Sequence, residues 1–342
     1  MISRLSNCYN SACRRLNYSK RFFTQPSQLL RSGLILNFDL NDGCNINCIM
    51  CGKKNNFATQ TFIPIERFTS SIANIFSYVD DFQWGCQCEP LMYPYFEDAV
   101  HSISKHLKPS VRGSLICNGT LLNESKRHIL LRSSIFKKVR ISFDGATKAT
   151  FEVIRRGANF DHVVANIAAL VAEKNRIGCD IIIEFNCTVM KQNISELPHL
   201  IKFAADLGIN SVSTHKLSPD DYGIIEDSYH DKLIENMQKA SELASELKLE
   251  FSGQVYDSGN SLDHYLGEKF KLCGLLNEPL LLTMSSDGKL NTPCCQVLSP
   301  LGNLLEESFE SIKRSRKFSF MLNCFSSTCD RICKQCYLYQ KY

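Results

Sequence analysis

Three thiols stand close together in the run Asp42-Gly43-Cys44-Asn45-Ile46-Asn47-Cys48-Ile49-Met50-Cys51. This spacing lets Cys44, Cys48 and Cys51 reach three corners of a metal cluster from one short loop, leaving the fourth open to a small molecule. A closed structural zinc site wants four ligands, usually as two pairs, and the loop supplies no fourth Cys or His. A second constellation comes near the far end: Cys273-Gly274, Pro293-Cys294-Cys295 and Cys333-Lys334-Gln335-Cys336. Four thiolates, from Cys273, Cys294, Cys333 and Cys336, would close a second site; Cys295, Cys324 and Cys329 are alternates, and a zinc ribbon is the competing reading.

The count of 17 cysteines in 342 residues is odd, and no apolar secretion segment accompanies it. With enough chain for a real core, these features argue against a secreted disulfide framework and for clustered thiols in a reducing, cytoplasmic setting. The longest apolar runs, such as Ile181 to Ile183 and Leu280 to Leu282, are far too short to span a bilayer, so no membrane segment is predicted. The net charge of +4 is too small to point to nucleic acid. Residues 1–33 carry all of that excess, through Arg4, Arg14, Arg15, Lys20, Arg21 and Arg31, and read as a basic helix or a targeting segment.

The elements that must position the first thiols alternate strand and helix. Candidate strands are Leu34–Leu40, Phe82–Trp84, Gly113–Cys117, Lys138–Phe143, Asp180–Val189 and Ser211–Thr214. Helical stretches near 64–78, 96–107, 124–132, 161–176, 195–207 and 229–248 fill the gaps, with Asp161 and Ser195 as expected N-caps. Six such units imply a mainly parallel α/β sheet, an open barrel or a doubly wound layer, and barrel sites lie at the C-terminal ends of strands. After about residue 250 the rhythm breaks into a loop at Ser258 to Ser261, a short apolar strand, a turn at Asp287-Gly288 and a charged helix from about 306 to 320. The expected division is 1–33 as a basic lead-in, 34–250 as the β/α core and 251–342 as a metal-held extension.

Polar motifs follow successive strands in order. Trp84-Gly85-Cys86-Gln87-Cys88-Glu89-Pro90-Leu91 comes after the second, Ile116-Cys117-Asn118-Gly119-Thr120 ends the third, and Ile141-Ser142-Phe143-Asp144-Gly145 ends the fourth, with Ile154-Arg155-Arg156-Gly157 on the helix that follows. On the fifth strand Glu184, Asn186 and Thr188 share one face, Phe185 and Cys187 the other. His215 lies near the end of the sixth strand.

The cysteine loop and this order of motifs resemble the radical S-adenosylmethionine (radical SAM) superfamily. The resemblance implies a partial (β/α)6 TIM barrel with a small C-terminal SPASM/twitch-like extension. It implies a [4Fe-4S] cluster on Cys44, Cys48 and Cys51, with its unique iron chelated by SAM, and an auxiliary cluster on Cys273, Cys294, Cys333 and Cys336. Met50, standing where the family usually has an aromatic, would pack over the adenine. Glu89 would accept the SAM ammonium; Cys86 and Cys88, at glycine positions of that motif, read as buried inert thiols. Asn118, Ser142, Asp144 and Asn186 would approach SAM, and Arg155, with Arg156 as alternative, would pair with its carboxylate. Tyr342 comes only six residues after Cys336, too soon for the final cysteine of a full SPASM pattern, which favours a single auxiliary cluster.

The implied activity is reductive cleavage of SAM to a 5′-deoxyadenosyl radical and hydrogen abstraction, leading to oxidation or to epimerisation with a spare thiol as hydrogen donor. Only about 33 residues precede the core, which favours a small sugar-like or natural-product substrate over a peptide, the alternative being a peptide- or protein-modifying maturase. Flavodoxin or ferredoxin would supply the electron. A non-catalytic iron–sulfur carrier or zinc module is the remaining class.

Overall fold

The computed structural model describes residues 33–52, 61–85, 87–216, 227–253, 280–292, 300–319 and 321. The expected basic segment before Gly33, Cys86, and the second constellation (Cys273, Cys294, Cys295, Cys324, Cys329, Cys333 and Cys336) lie outside the described residues.

All six expected strands form. They are β1 (Leu34–Phe38), β2 (Asp81–Trp84), β3 (Gly113–Cys117), β4 (Phe136–Ser142), β5 (Ile182–Val189) and β6 (Ser211–Lys216), each hydrogen-bonded in parallel to the next. Four more extend the sheet: β7 (Glu250–Gly253), parallel to β6, and β8 (Leu280–Met284), parallel to β1, with β9 (Lys289–Asn291) and β10 (Gly302–Asn303) added antiparallel beyond β8. The order is therefore β10-β9-β8-β1-β2-β3-β4-β5-β6-β7, an open and mostly parallel sheet of the partial-barrel kind. β8, from beyond the expected core boundary at 250, joins this sheet along the whole length of β1.

The connecting helices are α1 (Phe96–His106), α2 (Glu124–Arg132), α3 (Lys148–Ile154), α4 (Phe160–Ile177), α5 (Leu197–Asp206), α6 (Asp227–Glu246) and α7 (Phe309–Arg314). The stretch expected as a helix over 64–78 is irregular: one α turn (Ile65–Arg67), a π turn (Phe68–Ile72) and a 3₁₀ turn (Ala73–Ser77). Two expected caps are corrected. Asn159 caps α4, its side chain accepting from the His162 amide at 2.9 Å, while Asp161 lies inside the first turn. Ser195 falls within a 3₁₀ turn, and α5 starts at Leu197 without a side-chain cap.

Strand alternation sorts the side chains into two faces. On the helix-covered face Phe38 stacks on Trp84 with centroids 5.2 Å apart, and Phe143 lies between Phe185 (4.5 Å) and Phe203 of α5 (5.6 Å), all but Phe203 fully buried. Such aromatic pairs add about 0.5–1.5 kcal/mol each beyond area burial. The opposite face carries Gln83, Lys138, Arg140, Ser142, Glu184, Asn186, Ser213 and His215; all but Ser142 are joined by cross-strand side-chain contacts, and Gln83, Lys138, Arg140, Asn186 and His215 are partly open to solvent while Ser142, Glu184 and Ser213 are buried.

Candidate functional site

The cysteine loop leaves the end of β1 and is clamped from two sides. The Glu89 amide donates to the Gly43 carbonyl at 2.9 Å, and the Asn41 side chain reaches both the Gly43 and Glu89 carbonyls. On the other side the Asn47 and Ile49 amides donate to the Arg156 and Ile154 carbonyls at the end of α3, at 2.7 and 2.9 Å. The loop between these contacts brings polar donors onto its sulfurs. Arg155 Nη1 lies 3.6 Å from Cys48 Sγ and Asn118 Nδ2 lies 3.7 Å from Cys44 Sγ.

Cys48 is buried, and Cys44 and Cys51 are half-buried. Burial raises the Cys44 thiol to about 11 and raises that of Cys48, so the uncharged form is favoured while nothing cationic is bound. A coordinated metal reverses that balance, because a ligating thiol is deprotonated outright. Among the described residues no three His, Cys, Asp or Glu side chains close around a single metal ion. Three thiolates that each take a different iron of a cluster need no such closure, and N–H donors aimed at two of the sulfurs complete a donor set that fits an iron–sulfur cluster.

Around the loop stand the charged residues expected from the sequence. Glu89 is fully buried; its carboxylate accepts from the Leu91 amide at 3.1 Å and the Asn118 amide at 2.7 Å, while burial pushes its pKa up to about 7. Asn118 is further held by Asn45 Oδ1 at 2.9 Å and by Thr120, whose amide and hydroxyl both donate to its Oδ1. Asp144, also fully buried, accepts from Arg155 Nε at 2.5 Å and from the Thr188 amide at 2.7 Å. That pairing carries the Arg155 guanidinium to Cys48; Arg156 is exposed. Met50 packs half-buried against the core beside Cys51. Ser142, at the end of β4, is the cross-strand neighbour of Asn186 on β5.

The backbone before Glu89 turns at Gly85, with φ of +96°. A Cβ there would lie 2.5 Å from the Ile116 carbonyl oxygen, so glycine is needed at this residue. No non-glycine residue described between Gln87 and Glu89 takes a positive φ, and Cys88 is accommodated with its thiol 3.1 Å from Asp39 Oδ1. Cys117 and Cys187 are fully buried on the helix-covered face.

Several residues here escaped the sequence reading. Asn193 bridges the Asp144 and Thr188 carbonyls at 2.9 and 2.8 Å, and Glu196 accepts from the Ala146 and Thr147 amides, so both shape the loop after β4. Lys138 and Arg140 both pair with Glu184 at 2.6 Å. Their signal was present: charges two apart in a strand whose other face is Val139 and Ile141.

Comparison with known proteins adds a direct finding. The family model described as Radical SAM superfamily matches residues 39–204, which run from just after β1 into α5 and include the whole cysteine loop. Residues 39–204 belong to the radical SAM superfamily. The match supports an enzyme that uses SAM, and the open, mostly parallel sheet is of the partial-barrel kind. It is 24% identical over 267 residues to a protein described as "Probable GTP 3′,8-cyclase" from Sulfurisphaera tokodaii, covering 75% of this chain and 80% of that one. Among solved structures it resembles Streptococcus suis SuiB bound to S-adenosylmethionine, with a TM-score of 0.67 and 14% identity over 99% of this chain and 81% of that one. It also resembles anSMEcpe with bound AdoMet, with a TM-score of 0.62 and 18% identity over 90% and 84%.

Proposed function

We propose that Cys44, Cys48 and Cys51 hold a [4Fe-4S] cluster whose remaining iron takes the amino and carboxylate groups of SAM. Once bound, the pair supplies a 5′-deoxyadenosyl radical by reductive cleavage of SAM, and that radical takes a hydrogen atom from substrate. The observation that carries the reading is the placement of Arg155 and Asn118 against the sulfurs of Cys48 and Cys44, with buried Glu89 behind them. Glu89 accepts the SAM ammonium; a cation beside it returns its raised pKa toward the ionised form. Arg155, aligned by Asp144, meets the SAM carboxylate. Ser142 and Asn186 line the next layer, Met50 packs over the adenine, and Asn118 orders the β3 end.

The substrate in this reading is a small polar molecule that undergoes oxidation, and Cys273, Cys294, Cys333 and Cys336 in a SPASM/twitch-like extension would hold an auxiliary cluster able to take up the second electron. The polar, partly open sheet face supports it. Epimerisation would instead draw on a thiol; of the spare thiols Cys117, Cys187 and Cys88, the first two are sealed in the core and Cys88 is half-buried beside the Glu89 loop. A second reading, peptide modification, is favoured by the likeness to SuiB, also seen bound to its precursor peptide SuiA (TM-score 0.66). A flavodoxin- or ferredoxin-like reductant in the cytoplasm would serve either. No described helix is long and apolar enough to cross a membrane. The test is deuterium transfer into 5′-deoxyadenosine from deuterated candidates of both kinds: transfer from a small polar compound supports the first reading, and transfer only from a peptide replaces it with the second.

A further inference from the structure

The open face of the sheet holds a charged network that meets the proposed SAM layer only at Asn186. Arg140 on β4 is its centre: Nε donates to Glu184 Oε1 at 2.6 Å, Nη1 to Gln83 Oε1 at 3.0 Å, and Nη2 to Asn186 Oδ1 at 3.1 Å. Lys138 donates to the other Glu184 oxygen at 2.6 Å. His215 Nε2 lies 2.6 Å from Asn186 Oδ1 and 3.3 Å from Arg140 Nη2; the shorter contact, to an acceptor, assigns the ring proton to Nε2, and the longer one to Arg140 is then no hydrogen bond. With the ring neutral, Nδ1 is left as an acceptor at the exposed end of β6.

Two cations thus share one carboxylate on a face where Lys138 keeps 25% and Arg140 20% of its side chain exposed. Asp81 is taken by Lys137 and Asp144 by Arg155. Glu250, on β7 beside Ser211, is exposed and therefore screened by solvent. Among the described residues one positive charge is left half-buried without a counter-charge, which is costly unless something anionic completes it. The network lies close to the proposed SAM layer: Arg140 is two residues before Ser142, about 6.6 Å along the strand, and Asn186 is Ser142's cross-strand neighbour.

We propose that Arg140, Asn186 and His215 form the floor of the substrate site, and that this floor selects a substrate bearing an anionic group, a carboxylate or a phosphate. The assignment rests on the proposed SAM layer above it. The guanidinium fork meets the anion, and His215 Nδ1 accepts from a neighbouring hydroxyl or amide of the same molecule.

The test is titration calorimetry on the anaerobically reconstituted, SAM-loaded protein with two probes, inorganic pyrophosphate for the phosphate source and citrate for the carboxylate source. Saturable binding of one probe is expected, and which one binds names the source. Arg140→Gln should weaken it at least about tenfold, as expected for loss of a charge-assisted contact. Should that variant fail to fold, Arg140→Lys, which keeps the pairing with Glu184 but not the fork, and His215→Ala should each weaken binding about threefold or more. Wild-type protein that cleaves SAM yet binds neither probe overturns the proposal, as do variants that bind like wild type. Wild-type protein that cannot cleave SAM at all overturns the reading beneath it instead.

Discussion

Asp144→Asn isolates the ion pair that aims Arg155 at Cys48. Asp144 is fully buried and Arg155 keeps only 9% of its side chain exposed, so neither charge has water to fall back on. Removing one partner of a buried pair costs about 3–5 kcal/mol, because the other charge is left uncompensated. Asparagine retains an acceptor for the Thr188 amide, and Cys48 Sγ still lies within reach of the guanidinium, which sets the expectation at the lower end, about 3 kcal/mol. Against a total of about 5–15 kcal/mol this is a large fraction. The assay is anaerobic urea unfolding of the metal-free protein followed by circular dichroism, comparing wild type, Asp144→Asn, Arg155→Met and the double variant. Since replacing both members of a buried pair is often close to neutral, the double variant should be more stable than either single, with a coupling of about 2 kcal/mol or more. An Asp144→Asn protein within about 0.5 kcal/mol of wild type, or a double variant whose loss is the sum of the singles, would refute the reasoning.

Glu184→Gln strips the counter-charge from Lys138 and Arg140; their partial exposure tempers the loss to on the order of 2 kcal/mol at neutral pH. Lys138 and Arg140 hold the Glu184 pKa below its ordinary value against the opposing effect of burial, so its contribution is complete above the unfolded carboxyl range and fades as pH falls through the folded value. The stability gap between wild type and variant should therefore narrow below about pH 4, and a gap that widens there would contradict the pairing. Gly85→Ala should cost about 1–3 kcal/mol in the same unfolding assay and lower the melting temperature, since the left-handed backbone and the Ile116 carbonyl both oppose a Cβ; an unchanged melting temperature would show that the turn before Glu89 is not held as described.

Much of this arrangement was readable in advance, for physical reasons particular to each part. Leu34-Ile35-Leu36-Asn37-Phe38 reads as a strand because its alternate side chains are sealed in the core, and the loop after it stands out by its three closely spaced thiols. The order of Glu89, Asn118, Ser142, Asp144 and Arg155 after successive strands pointed to a candidate site, and the fold brings Glu89, Asn118 and Arg155 to the cysteine loop. What escaped was of two kinds. Asn159 and Asp161 are both able caps two residues apart, and backbone geometry, which composition does not encode, decided for Asn159. Lys138 and Arg140 look like a solvated face until the sheet is known to curve them toward Glu184 and His215 on neighbouring strands. β7, at one edge, and β8, between β9 and β1, are short strands whose place in the sheet is fixed by pairing with β6 and β1, a long-range fact no local pattern contains.

The most direct measurement of the central claim is release of 5′-deoxyadenosine from SAM by the anaerobically reconstituted protein with dithionite, wild type against a variant in which Cys44, Cys48 and Cys51 are all changed to Ala. The account predicts 5′-deoxyadenosine and methionine in equal amounts from wild type and none above background from the variant. Cleavage that survives in the variant, or a wild-type protein that takes up zinc and no iron, would contradict it.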